Sequence, residues 1–441
     1  MKTPWKKRLA LVAGAAAFAS TSLLASLAAP TPAHADPAWQ SSYVGVGSDT
    51  IQDVMNALGG AAPYPGPAGT ATSFYTPIHT TAARGSKTIS SYDAIPAGGS
   101  AAAPGCIVTR PGGASFDRPN GSGAGIDALS SAIDTVAANH QWQSNTASAR
   151  CSSGTIDVSG QIDFARSSSG PSDTSADQLR YIPFARDGLS YAYVRSGGGA
   201  DVVTNLTTAN LTALFSSASG SITVGGETVK ACLVQAGSGT RKFFVGAVNV
   251  TDAQAQTAAT ASGCYTGAGV EENNGNSFIT AATAILAAGE NAVIPFSVGS
   301  YIAQGNGAAK DNSATLRSSG DLGNPDNLGG VGQKPYDGSA PNMTADATYY
   351  NFDSGSKVGT YGRNLYIVTG KTKIANSAAT GGDLGLQELF RGPSAAICAD
   401  TGAGSAQDTV RKFGFLSLNG VVGTCGDITK FGSLYDGNKF G

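Results

Sequence analysis

The sequence is poor in the residues on which most enzymes and metal sites depend. Only three histidines occur among 441 residues, and G-x-S-x-G, H-E-x-x-H and paired-histidine patterns are all absent. The cysteines lack C-x-x-C spacing beside histidine, which argues against a zinc site. We therefore expect no catalytic residues, no bound metal and no cofactor. A serine–lysine hydrolase, which needs no histidine, is the enzyme class that these absences leave open.

Charged residues are scarce as well, at 13% of the chain. Without the first 35 residues, 24 basic residues stand against 30 acidic ones, and the net charge is −6. Such a mildly acidic surface disfavours nucleic acid and anionic membranes as partners. If the ligand is an anion, groups at its own binding site must attract it.

Long apolar runs are absent except at the N-terminus. Four basic residues among the first eight precede an Ala-rich apolar run at 9–29, and an A-x-A cleavage pattern follows at 33–35. Pro30 and Pro32 close the run, which argues against the competing interpretation of a membrane anchor. No cysteine near the cleavage point could carry a lipid. We predict a signal peptide at 1–35 and a secreted, extracellular mature protein.

The six cysteines all lie beyond that signal peptide, and their number is even. In an exported chain this pattern indicates disulfides. Six cysteines allow fifteen pairings. We expect each bridge to close a local loop, which pairs nearest neighbours along the chain: Cys106 with Cys151, Cys232 with Cys264, and Cys398 with Cys425.

The length and the segment pattern predict two domains of the α/β class. About 400 residues exceed one core of ordinary size. Strand-like and helix-like segments alternate, which favours mainly parallel sheets. With 41% apolar residues the chain is expected to fold in spite of its 60 glycines. Two Gly-rich stretches, at 59–105 and 305–363, are interpreted as surface insertions.

A glycine-flanked hydroxyl pair at 235–248, QAGSGTRKFFVGAV, is the most informative stretch. Apolar residues at helical spacing predict a helix that begins near Gly239 or Thr240, with Ser238 as its cap. Free N–H groups and the helix dipole attract anions to such a helix start. On its own the pattern is more typical of a simple turn.

The sequence repeats this pattern of a glycine- and serine-containing loop before a helix. The repetition favours a binding site over a simple turn. A second copy at 118–129, RPNGSGAGIDAL, carries Ser122 and Gly123, and a third at 44–58 begins VGVGSDT. A fourth element, IDFARSSSGPS at 162–172, is a short apolar run that ends in three serines. Together the four elements predict one site for a small ligand.

The order of these motifs resembles that of the phosphate-binding proteins of ABC phosphate importers. The motifs are GVGSDT, RPNGSGAGI, IDFARSSSGPS, PFARDGLSYAY, LT..LF, GSGTRKFF and FGFLSL, between residues 43 and 415. The resemblance implies the type II periplasmic-binding-protein fold, in which two α/β lobes joined by two crossing strands hold an anion in a cleft. It places lobe one at 36–187 and 301–441, and lobe two at 188–300.

The resemblance also implies which residues bind the anion. The family's first phosphate loop falls on Ser48, Asp49 and Thr50, its second on Ser122 and Gly123, and its third on Ser238, Gly239 and Thr240.

Two positions depart from the family pattern. Where the family has a ligand-facing aspartate, this chain has Ser168, and where it has an arginine before the third loop, this chain has Val234. A carboxylate accepts the proton of hydrogen phosphate, which sulfate lacks, so the first departure leaves the choice of anion open. Arg166 is the best placed substitute for the missing arginine, and Arg118 or Arg241 are the alternatives.

The function that the resemblance implies is capture of phosphate or a similar oxyanion, as a monomer, for an ABC transporter complex in the membrane. No nucleic acid partner is expected. The two departures and the missing lipid anchor favour an alternative, a secreted interaction protein that keeps the binding fold without the ligand.

Overall fold

The computed structural model describes residues 36–37, 43–60, 75–96, 99–100, 103–144, 151–197, 201–326, 332–350, 360–418 and 424–435. The predicted signal peptide lies outside these residues. Among the helices of the described ranges, none has the length and apolarity that crossing a membrane requires.

The strands are mostly short, and one is much longer than the rest. They are β1 (Tyr43–Gly47), β2 (Ile89–Ser91), β3 (Cys106–Ile107), β4 (Phe116–Asp117), β5 (Gln141–Trp142), β6 (Ile156–Asp157), β7 (Phe164–Ser167), β8 (Leu179–Arg195), β9 (Ser221–Val224), β10 (Glu227–Ala231), β11 (Asn291–Ser297), β12 (Gly320–Leu322), β13 (Tyr336–Asp337), β14 (Thr344–Ala345), β15 (Gly362–Gly370), β16 (Leu416–Ser417) and β17 (Phe431–Gly432).

The helices alternate with these strands along most of the chain. They are α1 (Gln52–Leu58), α2 (Ser122–Ile133), α3 (Thr208–Phe215), α4 (Gly239–Ala247), α5 (Asp252–Ala261), α6 (Gly275–Thr283), α7 (Val298–Gly305), α8 (Ala314–Ser319), α9 (Ala347–Tyr350), α10 (Lys371–Ala375), α11 (Leu384–Phe390) and α12 (Ala406–Lys412).

The main sheet confirms the α/β class but is mixed. Its strands follow the order β2-β1-β7-β15-β8-β11-β10-β9, with β12, β16 and β17 also paired to β8. β1 pairs in parallel with β2 and β7, and β10 with β11, whereas β8 and β15 are antiparallel to each other and to their other neighbours. The expectation of mainly parallel sheets is wrong because one strand carries the chain into the second lobe and another returns it.

The 17-residue strand β8 belongs to both lobes. Residues 179–188 pair with β15, and residues 189–195 pair with β11. We call the part of the sheet made by β1, β2, β7, β15 and the first half of β8 the first lobe. The second half of β8 with β9, β10 and β11 forms the second lobe.

The cores follow this division. In the first lobe, successive residues of a strand alternate between two clusters, so that Tyr43 packs on one face of the sheet and Val44 on the other. β7 and β15 alternate in the same way, with Phe164 and Ile367 beside Tyr43. A third cluster fills the second lobe around Phe215 and other apolar side chains of its helices and strands.

The interpretation of 305–363 as a surface insertion is wrong for its described residues. Tyr349, Tyr350 and Tyr361 are fully buried in the core of the second lobe, and Tyr336 and Met343 are nearly so. The tyrosine hydroxyls explain why a polar, aperiodic sequence can pack inside, because they find hydrogen-bond partners there. Tyr349 donates to the carbonyl of Leu189 at 2.6 Å. The 59–105 stretch likewise contributes β2 and the buried Tyr92.

All six cysteines form the predicted bridges. The pairs are Cys106–Cys151, Cys232–Cys264 and Cys398–Cys425, with Cα atoms 5.8, 4.9 and 5.7 Å apart. Each bridge closes a loop of 27 to 45 residues within one lobe. The nearest-neighbour pairing is therefore confirmed.

Candidate functional site

Three loops that precede helices meet at the junction of the two lobes. The first loop, Ser48 to Thr50, follows β1 and leads into α1, and the second, Gly121 to Gly123, begins α2. The third, Gly237 to Thr240, begins α4 in the second lobe. Ser238 Oγ accepts from the N–H of Arg241 at 3.0 Å, so the predicted cap and helix start are confirmed.

The second and third loops touch each other directly across the junction. The N–H of Gly123 donates to the carbonyl of Gly237 at 3.1 Å. A Cβ atom at Gly121 would lie 2.6 Å from that carbonyl oxygen, and Gly121 has a φ of 96°, so both contact and conformation require glycine. The lobes are thus closed on each other at this point.

Three hydroxyls form what we call the serine cluster: Ser48, Ser122 and Ser168. Ser48 Oγ donates to Ser168 Oγ at 3.1 Å, and the hydroxyls of Ser122 and Ser168 lie 3.3 Å apart. Ser122 Oγ also accepts from the N–H of Ser168 at 3.0 Å. All three side chains are buried. Hydroxyl groups that bond one another can turn to donate to an anion instead.

Gly239 of the second lobe covers the serine cluster. A Cβ atom at this position would lie 2.3 Å from both Ser122 Oγ and Ser168 Oγ. The backbone at the start of α4 therefore lies against hydroxyls of the first lobe, where a side chain would keep the two apart.

A second group of polar side chains, the threonine cluster, lies along the same loops. Thr50 Oγ1 donates to Glu272 Oε1 at 2.9 Å and lies 3.2 Å from Thr240 Oγ1. Asn273 Nδ2 donates to Thr50 Oγ1 at 3.2 Å. Arg363 Nη2 lies 3.4 Å from Thr50 Oγ1 and donates to Thr240 Oγ1 at 2.8 Å. The cluster joins both lobes with one cation, Arg363.

Arg363 is held in place by a buried ion pair. It pairs with Asp187 through Nε at 3.0 Å and Nη2 at 2.8 Å. Asp187 also accepts from Ser297 Oγ and from the N–H of Gly299. Burial raises the pKa of the Asp187 carboxyl, while Arg363 and these donors oppose that rise. Arg363 Nη1 has no hydrogen-bond partner among the described residues.

The three arginines that the sequence proposed for the anion make other contacts. Arg166 is fully buried and donates to the carbonyls of Gly47 and Ser48 and to Ser91 Oγ, so it supports the first loop from behind. Arg118 pairs with Asp36. Arg241 pairs with Asp252. The guanidinium of each of these three arginines is hydrogen-bonded to other protein groups. In Arg363, by contrast, Nη1 has no partner among the described residues.

Asp49 belongs to the first loop but not to the serine cluster. Its Oδ2 accepts from Gln235 Nε2 at 3.1 Å. Burial, then the negative charges of Glu272 and Glu271, raise the pKa of the Asp49 carboxyl well above its ordinary value. The site therefore contains carboxyl groups that resist ionisation.

Two acids and one arginine, Asp53, Asp93 and Arg166, form a further group of charges behind the first loop. Burial raises the pKa values of Asp53 and Asp93 to about 6. Burial lowers the pKa of Arg166 to about 10, against the attraction of these acids. This group holds the loop from the side of the first lobe, and with two acids against one base it contributes no net positive charge to an anion.

The sequence analysis missed Glu272, Asn273 and Arg363. Glu272 and Asn273 belong to the run EENN before α6, whose start is capped by Asn274. This is another polar loop before a helix, so the pattern that found the other loops could have found it. Arg363 stands 313 residues from Thr50 and belongs to no comparable loop.

Comparison with known proteins gives matches only at the level of structure. No protein-family model and no curated protein matches the sequence. A Clostridium perfringens protein solved with bound phosphate, named as a phosphate ABC transporter substrate-binding protein, aligns at 13% identity and a TM-score of 0.41. The alignment covers 85% of this chain and 98% of that one.

Two further matches have the same identity and the same coverage of this chain, 13% and 85%. One is described as a possible phosphate binding protein from Planctomyces limnophilus, with 92% of its chain covered and a TM-score of 0.35. The other is a human phosphate binding apolipoprotein, with 91% covered and a TM-score of 0.40. At this identity the likeness concerns the fold, and the chemistry of binding has to come from the residues of this chain.

Proposed function

We propose that this chain is a secreted solute-binding protein that captures phosphate or a similar oxyanion between its two lobes, for delivery to an ABC-type importer. We keep the lobe bounds 36–187 with 301–441, and 188–300, as part of this proposal, with side chains between Tyr336 and Tyr361 of the first range packed in the core of the second lobe. The observation that carries the proposal is the meeting of helix starts α2 and α4 from opposite lobes around buried hydroxyls. Such groups offer donors to an anion without a full positive charge.

Arg363 adds a cation at the junction with a donor atom that the described residues leave unused. Its Nη1 is buried without a partner in the described structure, an arrangement that costs free energy until an acceptor arrives. An anion oxygen beside Thr50 and Thr240 would supply that acceptor. The proposed ligand set is therefore the three loops, the serine cluster and Arg363.

Binding in this arrangement requires motion. The serine cluster is buried beneath Gly239, so a ligand can enter or leave only when the third loop separates from the first and second. An anion that contacts both lobes stabilises the closed state by contacts that the open state lacks. A binding role, rather than catalysis, fits a site of hydroxyls and helix starts.

Isothermal titration of the mature chain with phosphate, arsenate and sulfate tests the proposal. Ser122→Ala should weaken phosphate binding by about 1 to 3 kcal/mol, because one donor to the anion is lost. Ser131→Ala is the matched control, since Ser131 lies on the same helix and donates to the carbonyl of Gln141 instead. Its phosphate affinity should equal that of the wild type.

Absence of heat with every anion would reject the proposal and favour the secreted interaction protein. Equal losses in Ser122→Ala and Ser131→Ala would place the anion away from the serine cluster. Partnership with an importer needs its own measurement, which is stimulation of ATP hydrolysis by a reconstituted phosphate importer upon addition of the loaded protein.

A further inference from the structure

Two lysines from opposite lobes lie against the segment that follows the serine cluster. Lys242 belongs to α4 of the second lobe, and its Nζ donates to the carbonyl of Gly170 at 3.4 Å. Lys430 belongs to the first lobe, where its carbonyl accepts from the N–H of Tyr181 in β8 at 3.0 Å. A Cβ atom placed on Gly170 would lie 3.6 Å from Lys430 Nζ. Both ammonium groups therefore lie beside one glycine, which Ser169 separates from Ser168 of the cluster.

This segment leads from the serine cluster to solvent. Ser168 is buried, Gly170 is half-buried and Ser172 is exposed. Lys430 is exposed and Lys242 is half-buried. We call Gly170 with the two lysines the rim. An anion in water can reach the rim while the lobes are closed, whereas it can reach the serine cluster only after they separate.

A hydroxyl lies between the rim and the cluster. Ser169 Oγ is buried and has no hydrogen-bond partner among the described residues. The backbone of Ser169 is occupied, because its N–H donates to Ser167 Oγ at 3.3 Å and its carbonyl accepts from the same hydroxyl at 2.7 Å. A buried hydroxyl without a partner costs free energy until an acceptor arrives. An anion oxygen that moves inwards from the rim would be such an acceptor.

Acids accompany the threonine cluster instead. Glu272 accepts from Thr50 at 2.9 Å. Glu271 precedes Glu272 in the chain and lines a surface cavity of about 480 Å³. Lys310 is the base that acts on Glu271, so the two glutamates exceed the positive charge beside them. A doubly charged anion that approaches from this side is repelled.

At the rim the sign of the charge is the opposite. The ammonium of Lys430 lies 5.4 Å from the centre of the Tyr366 ring, a contact that leaves its charge in place. Asp173 is the acid nearest to Gly170 along the chain, and its carboxylate is exposed and accepts from the N–H of Ser175 at 2.8 Å. A doubly charged anion that approaches from this side is attracted.

We propose that Lys242 and Lys430 form an entry site, which holds the oxyanion at the rim before it passes to the serine cluster. The inference rests on the proposed function and names the route by which its ligand arrives. When the lobes separate, Lys242 moves with the second lobe and its bond to the carbonyl of Gly170 breaks. Its ammonium can then bind the anion. Closure returns Lys242 to Gly170 once the anion lies on the serines.

Association and dissociation rates separate the entry site from the final site. Phosphorus NMR exchange spectroscopy gives the dissociation rate of inorganic phosphate from the mature protein, and isothermal titration gives its Kd. The ratio of the two is the association rate. At low ionic strength, Lys430→Gln should lower the association rate about three- to tenfold and leave the dissociation rate unchanged, because Lys430 acts before closure. Added salt should narrow this difference.

Lys242→Gln should have two effects. It should lower the association rate by a similar factor and raise the dissociation rate, because the bond to Gly170 exists only in the closed state. Lys412→Gln is the matched control, since Lys412 is another exposed lysine of the first lobe and pairs with Asp408. Its rates should equal those of the wild type. Glu271→Gln tests the other route and should change the association rate by less than about twofold.

The outcomes separate the two proposals. Wild-type association rates in both Lys430→Gln and Lys242→Gln would overturn the inference and leave the proposed function intact. Equal losses in Lys430→Gln and Lys412→Gln would overturn it too, because net charge alone would then explain them. Faster association in Glu271→Gln, with Lys430→Gln unchanged, would place the entry beside the threonine cluster and overturn the rim. Absence of phosphate binding by the wild type would overturn both proposals.

Discussion

At the scale of single residues, Gly239 decides whether the lobes can close. Its missing side chain allows the start of α4 to lie against Ser122 and Ser168. The same helix carries a second glycine, Gly246, at which a Cβ atom would meet no atom within 4 Å. Alanine substitutions at Gly239 and Gly246 therefore separate the effect of a side chain in the closed junction from the effect of alanine on helix stability.

Gly239→Ala should weaken phosphate binding by about 2 kcal/mol or more, because its methyl group forces the third loop away from the serine cluster. Gly246→Ala should leave affinity unchanged and raise the free energy of unfolding by up to about 1 kcal/mol, as alanine favours the helix. Titration calorimetry and urea unfolding check the two effects. Equal affinity in Gly239→Ala and the wild type would show that the loops need not meet.

Single residues also show which parts of the candidate site could be predicted from the sequence and which could not. Ser238 and Thr240 could be placed because a cap and a helix start are local patterns. Arg363 could not, because its contact with Thr240 spans 123 residues and depends on strand pairing that sets Arg363 opposite Asp187. Arg166 was assigned to the ligand because it stands beside serines, but strand alternation turns its side chain to the first loop.

At the scale of elements, the strands and helices were easier to predict than their packing. The starts of α2 and α4 were predicted because periodic apolar residues follow a glycine turn. The burial of Tyr349 and Tyr350 was missed because their segment lacks a period, and tertiary contacts alone decide its place. The antiparallel pairing of β8 with β15 was missed because direction is a property of the whole chain path.

The bridge Cys398–Cys425 ties the segment after α12 to the core of the first lobe, where both cysteines are buried. Replacing both by alanine should lower the free energy of unfolding by about 2 to 4 kcal/mol, because the unfolded chain gains the freedom of a 27-residue loop. Chemical unfolding measures the change. The unfolded, unreduced wild type should show no free thiol, and two or more would contradict the assigned bridges.

At the scale of the whole molecule, buried acids make stability depend on pH. The raised pKa of Asp93, about 6, means that the folded state binds its proton more tightly than the unfolded state does. The contribution of Asp93 to stability is therefore present at low pH and is lost as pH rises from about 4 to about 6.

Asp93→Asn should remove this dependence. The free energy of unfolding of the wild type, relative to that of the variant, should fall by about 1 to 3 kcal/mol between about pH 4 and about pH 7. Asp177 is a control of opposite sign, because hydrogen bonds from Arg180 and Lys371 lower its pKa to about 2. Relative to Asp177→Asn, the wild type should gain stability as pH rises through the acidic range. A parallel pair of curves for wild type and Asp93→Asn would refute the assignment.

The shared strand β8 has a consequence for descent. One continuous strand contributes to the sheet in both lobes, where its first half pairs with β15 and its second half with β11. A cut at Gly188 would therefore separate the strand that the two lobes share. Recombination between related genes at the lobe boundary would join two halves of one strand that had evolved against different packing partners. Variation should therefore accumulate in the loops around the strand, while β8 and its partner β15 are inherited as one unit.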